Sequence, residues 1–203
     1  MTYDPRKHHR RSIRLPGYDY TQPGAYFVTF VAHDRECLFG EVVDGVMRLN
    51  AFGEIVRDEW FRTAVVRPYV MLDPDEFVVM PNHVHGIIWI TGRGDPMGRP
   101  HDPMGRPHDN DCDVQQPRGP AAGSVGAIIG QIKSIAAKRI NALRGTPAAP
   151  VWGRNYYEHI IRYETSLNRV RRYIAANPSR WADDREHPCH PLRRRANAPG
   201  AGV

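Results

Sequence analysis

The sequence has little cysteine and no long apolar run. Its 203 residues include three cysteines, Cys37, Cys112 and Cys189, which are odd in number, far apart and without CxxC spacing. This spacing excludes a disulfide framework and a zinc ribbon, and it favours a reducing cytoplasm. The best apolar run, VHGIIWI, stops at Thr91, well short of the roughly 18 residues of a membrane span, and the basic N-terminus leads into no apolar signal segment. We therefore expect a cytoplasmic protein with no membrane partner.

Acidic residues are scarce in the last third of the chain. The whole chain has 28 Lys+Arg against 22 Asp+Glu, a formal net charge of +6. Residues 123–203 hold 14 basic and 5 acidic groups, whereas residues 1–122 hold 14 and 17. This distribution favours a polyanionic partner, because phosphate neutralisation supplies most sequence-independent affinity for nucleic acid. A solvated surface with basic tails would give the same balance.

Hydrophobic periodicity predicts an order of secondary-structure elements. Strands are expected at Ala25–Asp34, on both sides of a hairpin turn at Asp44-Gly45, and in DEFVVMP, HVHGIIWIT and VWGRNYYEHIIR. Helices are expected from Asn50 to about Val66, from Ser124 to Gly145, and in ETSLNRVRRYIAANP. Without the hairpin and the last helix the order is βαββαβ. We therefore expect an α+β, ferredoxin-like fold, an antiparallel sheet with two helices on one face, plus a C-terminal helix.

The composition divides the chain into one domain with two tails. Residues 1–14 form a basic arm, residues 15–182 the domain, and residues 183–203 a polar, basic tail. Residues 92–122 are rich in proline and glycine and contain the heptapeptide DPMGRPH twice in tandem, at 95–101 and 102–108. Two copies are too few for a solenoid, so we interpret the segment as a flexible linker inserted into the domain.

Two histidines share a face of one predicted strand. His83 and His85 are separated by Val84, and side chains two residues apart in a strand point to the same side. Convergent imidazoles are half of a site for a divalent metal. A His-x-His pair also occurs as an exposed or hydrogen-bonded pair without an ion.

The last predicted helix offers a second half of the site. Tyr173 and Asn177 are four residues apart and share a helix face, and Tyr173 lies among Arg169, Arg171 and Arg172. Guanidinium groups neutralise a phosphate and favour a phenolate, so this pattern suits a tyrosine that attacks a phosphodiester beside a metal ion. The alternative is a surface tyrosine that packs by its ring.

Several motifs in order resemble one known family. MPNHVHGI, WGRNYYEHIIR and RRYIAANPSRW, with RRSIRLPGYDYTQPGAYFVTF and CLFGEVVDGVMRLNAFGEIV before them, resemble the REP-associated tyrosine transposases of the HUH endonuclease superfamily, over about residues 10–182. The resemblance implies a nuclease domain in which His83, His85 and Asn177 hold Mg²⁺ or Mn²⁺. It also implies that Tyr173 attacks hairpin-forming single-stranded DNA and leaves a 5′-phosphotyrosine. A monomer or homodimer associated with the nucleoid is expected.

Some assignments stay open at the level of sequence. Tyr156, Tyr157 and Tyr163 compete with Tyr173 as nucleophile, and His159 is a further ligand or substrate contact. The basic residues expected to contact DNA are Arg6, Lys7, Arg10, Arg11 and Arg14 of the arm, together with Arg169, Arg171 and Arg172. A DNA-binding protein without catalysis, and a regulatory protein whose histidines hold a structural metal, are the alternative functions.

Overall fold

The computed structural model describes residues 18–92, 120–184 and 186–188. The predicted basic arm, most of the predicted linker with its repeats, and most of the tail lie outside these described residues. Within them, no helix has both the length and the apolar character needed to cross a membrane.

A five-stranded antiparallel sheet forms the centre of the molecule. Strand β1 (Gly24–Val31) leads to a small hairpin of β2 (Gly40–Val43) and β3 (Val46–Leu49), which turns at Gly45 with φ of 75°. The remaining strands are β4 (Val70–Met71), β5 (Phe77–Val79), β6 (His83–Ile90) and β7 (Tyr157–Ile161). The order across the sheet is β4-β6-β1-β7. Strand β5 pairs with the first half of β6, and β4 pairs with its last two residues on the same side. Strands β4 and β5 together occupy the position of the second ferredoxin-like strand, interrupted by a short 3-10 turn at Pro74–Glu76.

Two helices cover one face of the sheet. Helix α1 (Ala51–Val66) begins where the Asn50 side chain accepts hydrogen bonds from the amides of Phe52 and Gly53. Helix α2 (Val125–Arg144) begins at Ser124 and ends at Gly145, whose φ of 66° is the left-handed conformation typical of a helix C-terminus. Both helices present an apolar stripe to the sheet, and the core between them includes Val28, Val84, Ile88, Trp60, Ile128 and Ile132.

Close packing of α1 on β6 depends on a glycine. A Cβ atom at Gly86 would lie 2.4 Å from Cζ2 of Trp60, so only glycine lets the indole ring rest on the strand. Trp60 is fully buried there. Since Gly86 directly follows His85, this contact fixes the position of the strand that carries the two histidines.

The third helix lies against the opposite face of the sheet. Helix α3 (Glu164–Ala176) buries Leu167 and Ile174 in a second apolar cluster with Ala25, Phe27 and Ile87. Arg171 of α3 forms an ion pair of 2.6 Å with Glu76, a carboxylate that is 2% exposed and also accepts a hydrogen bond from Trp89. The predicted α+β, ferredoxin-like arrangement is confirmed, with α1 and α2 on one face and the tyrosine-bearing helix on the other.

Candidate active site

The histidine pair lies on the sheet face covered by α3. Val31 and Thr29 of β1 pair in register with His83 and His85 of β6, and Val84 between the histidines points into the opposite core. The two imidazoles are 0% and 3% exposed. Their Nε2 atoms lie 2.9 Å apart. The structure therefore places both histidines on the same face of β6, as the sequence predicts.

Hydrogen bonds orient the ring of His83. The amide nitrogen of Asn82 donates to the carbonyl oxygens of Arg35 (3.0 Å) and Glu186 (2.8 Å), which turns its Oδ1 toward Nδ1 of His83 at 2.9 Å. Because an amide oxygen only accepts, the proton of His83 is on Nδ1. The lone pair of Nε2 consequently faces His85 and the site.

The second imidazole is held neutral by its surroundings. Nδ1 of His85 lies 2.7 Å from the hydroxyl oxygen of Thr29, and its ring stacks on Phe27. Burial, followed by the neighbouring His83, holds the pKa of His85 well below its ordinary value of 6.5. A neutral imidazole is the form that ligates metals.

Tyr173 reaches this pair from α3. Its hydroxyl group lies 3.1 Å from Nε2 of His85, and its ring meets Phe27 edge-on with centroids 6.1 Å apart. The residue remains 45% exposed. The hydroxyl is thus positioned by apolar packing of the ring on one side and is open to solvent on the other.

Two oxygen-bearing side chains complete the cluster. Asp184 offers a carboxylate oxygen, and the ligand atoms of His83, His85 and Asp184 all lie within 4.8 Å of one another. Asn177, at the end of α3, is 3% exposed and donates its amide to Asp184 at 3.3 Å. Among the described residues, the buried Oδ1 of Asn177 has no hydrogen-bond partner.

This donor set fits a divalent metal ion. Imidazole nitrogens 2.9 Å apart match adjacent ligands of an octahedral ion, which are about 3 Å apart when bonds are about 2.1 Å. An unpaired buried amide oxygen is costly unless a ligand satisfies it. A carboxylate supplies the negative charge that such an ion requires. The His-His-Asp cluster can therefore hold a metal, and Asn177 as a further oxygen donor stays a prediction.

Comparison with known proteins gives a family and a fold. No family model matches the chain. An uncharacterized protein of Haemophilus influenzae is 38% identical over 182 residues, covering 90% of this chain and 95% of that protein. The chain belongs to the same family as this Haemophilus protein.

A solved structure identifies the fold. The structure of a REP-associated tyrosine transposase bound to a REP hairpin superposes with a TM-score of 0.51 and 16% identity, covering 83% of this chain and 74% of that chain. The resemblance inferred from the sequence motifs is confirmed at the level of the fold.

The competing tyrosines have other surroundings. Tyr156 donates its hydroxyl proton to Glu158 at 2.7 Å, and Tyr163 lies at the start of α3 with 73% of its surface exposed. Tyr157 is 46% exposed and contacts Phe27 edge-on. His159 is also exposed, on the edge strand β7, where it pairs with Phe27. The structure therefore brings Tyr173 to the histidines, and it leaves His159 outside the group that can hold an ion.

The arginines of α3 fall into two kinds. Arg169 and Arg172 are exposed, and Arg172 donates to the Asn168 carbonyl of its own helix. Arg171 is committed to Glu76. The arm residues Arg6, Lys7, Arg10, Arg11 and Arg14 lie outside the described residues, so their contact with DNA stays a prediction.

Sequence reasoning missed Asp184. The sequence pattern places this residue in the polar tail, because no apolar period continues beyond Trp181. In the structure, a 3-10 helix at Pro178–Asp183 turns the chain back toward β6, and Glu186 then pairs with Arg35 at 2.6 Å. Pro178 directly after Asn177 is the sequence signal for such a turn.

Proposed function

We propose that this protein is a metal-dependent endonuclease and strand transferase of single-stranded DNA. It acts on hairpin-forming repetitive elements through a 5′-phosphotyrosine on Tyr173. The observation that carries the proposal is the 3.1 Å contact between the Tyr173 hydroxyl and Nε2 of His85, inside a cluster able to hold a divalent ion. A phenol next to such a cluster suits attack on a phosphodiester better than a structural role, because that role needs only the ring.

The residues divide the chemistry between them. His83, His85, Asp184 and the Asn177 amide oxygen would hold Mn²⁺ or Mg²⁺. The bound ion supplies charge that polarises the phosphate oxygens and favours the phenolate. The phenolic oxygen forms a bond to phosphorus, the bond from phosphorus to the 3′ oxygen breaks, the phenolic proton leaves to solvent, and the 3′ oxygen takes up a proton. The exposed side of Tyr173 gives DNA and solvent access to the hydroxyl.

The ligand types favour manganese over magnesium. Two of the four donors are imidazole nitrogens, which suit Mn²⁺ better than the hard, oxygen-preferring Mg²⁺. Activity is therefore expected to rise when Mn²⁺ replaces Mg²⁺, and to vanish in a chelating buffer. His85→Ala should lose cleavage in either ion. Full cleavage by His85→Ala in chelated buffer would contradict the metal assignment.

Two observations, the charge distribution and the fold, support DNA as the substrate. The structural neighbour is bound to a REP hairpin, and the last 81 residues of this chain carry the excess of basic over acidic groups. Polyanion binding by basic surfaces is strong and dependent on salt.

The deciding experiment is a search for a covalent adduct. Full-length protein is incubated with Mn²⁺ and labelled single strands that form hairpins, and the protein–DNA bands that survive denaturation are quantified. Tyr173→Phe should fold, bind the same strands and form no adduct, since it keeps the ring and loses only the hydroxyl. Tyr163→Phe, next to the same helix, is the matched control and should form the adduct normally.

Peptide mapping of the adduct then assigns the residue. A nucleotide on Tyr156, Tyr157 or Tyr163 would refute Tyr173 while keeping the enzyme class. Strand cleavage without an adduct would indicate hydrolysis by water and contradict attack by a tyrosine. Binding with neither cleavage nor adduct would favour the alternative, a DNA-binding protein without catalysis.

A further inference from the structure

A cavity of about 830 Å³ lies between α2 and the loop of residues 147–152. Its walls share no residue with the histidine and tyrosine cluster. The lining is mainly apolar, with Ile129, Ala137 and Val151 beside the aromatic side chains of Trp152 and Tyr156. A volume of this size is typical of sites that hold small ligands or parts of larger ones.

Hydrogen bonds tie the loop and the residues after it to helix α2. Lys133 contributes most, because its ammonium group donates to the carbonyls of Gly153 (2.7 Å) and Asn155 (2.9 Å). The other bonds run from Asn141 to Ala149 (2.9 Å), from Arg144 to Pro150 (3.3 Å), and from the Trp152 indole to the Lys133 carbonyl (3.0 Å). These bonds fix the loop relative to α2 and thereby fix the two walls of the cavity.

The helix side of the cavity contains an exposed glycine, Gly130. Among the described residues, a Cβ atom at this position would meet nothing within 4 Å. Glycine inside a helix is less favourable than alanine, because it loses more backbone freedom on folding. Because Gly130 has no side chain, a ligand in the cavity can approach the helix closely at this position.

The charge around the cavity is of one sign. Among the described residues, the cavity lining includes Lys133 and Lys138 of α2 and no carboxylate, whereas Arg139 of the same helix pairs with Asp58 and Glu59 of α1. Burial lowers the pKa of Lys133 to about 8, so its ammonium group is still mostly charged at neutral pH. Lys138 is exposed at the rim. The surroundings thus complement an anion.

The loop beside the cavity lies at the end of the sheet that carries His83. The amide of Gly153, next to Trp152, donates to the Val31 carbonyl at 2.8 Å, and Val31 pairs with His83. The loop that closes the cavity is therefore one strand away from the site. A polymer held in the cavity can extend around this end of the sheet toward Tyr173.

We propose that this cavity binds one unpaired nucleotide of single-stranded DNA, with the base between Gly130 and the loop and the backbone phosphate at Lys138. An apolar slot suits the face of any base, and the exposed ammonium group of Lys138 suits its phosphate. A free phosphate would need no apolar walls, and an apolar peptide would need no lysines. The inference rests on the proposed function for the identity of the polymer.

The test combines a protein variant with a modified strand. Gly130→Leu places a branched side chain where the base is proposed to lie, and Gly130→Ala is the matched control that adds one methyl group. Each full-length variant is titrated by fluorescence anisotropy, in chelating buffer, against a fluorescein-labelled mixed-sequence single strand and against the same strand with abasic sites. Gly130→Leu should weaken binding of the normal strand roughly tenfold and leave the abasic strand unchanged.

Several outcomes would overturn the proposal. Equal affinity of both variants for the normal strand, or an equal loss on both strands, would show that the cavity holds no base. Both variants should melt at or above the parent temperature, since each replaces an interior helical glycine. Should Gly130→Leu fail to fold, Lys138→Glu takes its place, and an unchanged salt dependence of affinity would then count against the site.

The result of this binding test can be distinguished from the result of the adduct experiment. An adduct on Tyr173 without the predicted difference between the strands removes only the cavity assignment. The predicted difference without an adduct supports the cavity and removes the catalytic assignment.

Discussion

At the scale of single residues, the site depends on groups oriented by their neighbours. Asn82 shows this most clearly, because two backbone carbonyls fix its amide and thereby the proton of His83. The position of His83 next to Asn82 is visible in the sequence. The partners that orient Asn82, Arg35 and Glu186, are 47 and 104 positions away, so no local pattern could have predicted the tautomer.

Asp184 provides a residue-scale prediction. Asp184→Asn removes a negative charge from the donor set but keeps an oxygen that can accept from the Glu186 amide, which lies 2.6 Å from the carboxylate. We expect the affinity for Mn²⁺, measured by isothermal titration calorimetry, to fall roughly 10- to 100-fold. Asp183→Asn is the matched control, since Asp183 is exposed and adjacent. Equal affinities of the two variants would remove Asp184 from the ligand set.

At the scale of elements, local signals predicted most of the fold. The turn at Asp44-Gly45, the cap at Asn50, and the helix from Ser124 to Gly145 are all encoded within a few residues, and each is confirmed. The shared face of His83 and His85 also follows from strand geometry alone. The two-residue strand β4 was not predicted, because so short a segment has no period of its own.

Contacts between residues far apart in the sequence determine which arginines of α3 are paired and which side chains meet the histidines. The three arginines of α3 look equivalent in the sequence, but Arg171 is 95 positions from its partner Glu76 and only the packing of α3 on the sheet unites them. The approach of Asp184 to the histidines depends in the same way on a turn beyond the last helix. Sequence alone therefore placed Tyr173 on the last helix and missed Asp184.

The ion pair between α3 and the sheet gives an element-scale prediction. Arg171→Ala leaves the carboxylate of Glu76 buried without its cationic partner, while it still accepts from the Trp89 indole at 2.5 Å. Thermal or urea unfolding should show a loss of about 1–3 kcal/mol, reduced from the value of a fully buried pair because Arg171 is partly exposed.

Arg169→Ala separates stability from DNA binding. Arg169 is exposed on the same helix, so its removal should change stability by less than about 0.5 kcal/mol. It should instead weaken binding of single-stranded DNA and lower its salt dependence. A greater loss of stability for Arg169→Ala than for Arg171→Ala would contradict the assignment of the ion pair as the interaction that fixes α3.

At the scale of the whole molecule, the basic helix α2 and the candidate active site lie on different faces of the sheet. The tyrosine and the histidines lie between α3 and one face of the sheet, whereas the basic helix α2 lies on the other face. The ferredoxin-like fold by itself supports many functions, whereas the loop of residues 147–152 connects the α2 face with the end of the sheet that carries His83. A strand that contacts both must pass around that end.

The basic arm provides the prediction at this scale. Residues 1–12 contain Arg6, Lys7, Arg10 and Arg11 against one acidic residue, and clustered basic residues of this kind contact phosphates. Deleting them should weaken binding of single-stranded DNA. The slope of log affinity against log salt should also fall, by about 0.7 for each phosphate that the arm no longer neutralises.

Deleting residues 102–108, one copy of the repeat, is the matched control. That copy carries one aspartate and one arginine and so no net charge, and its removal should leave the slope, the melting temperature and adduct formation unchanged. An arm deletion with the same slope as this control would mean that the arm neutralises no phosphate.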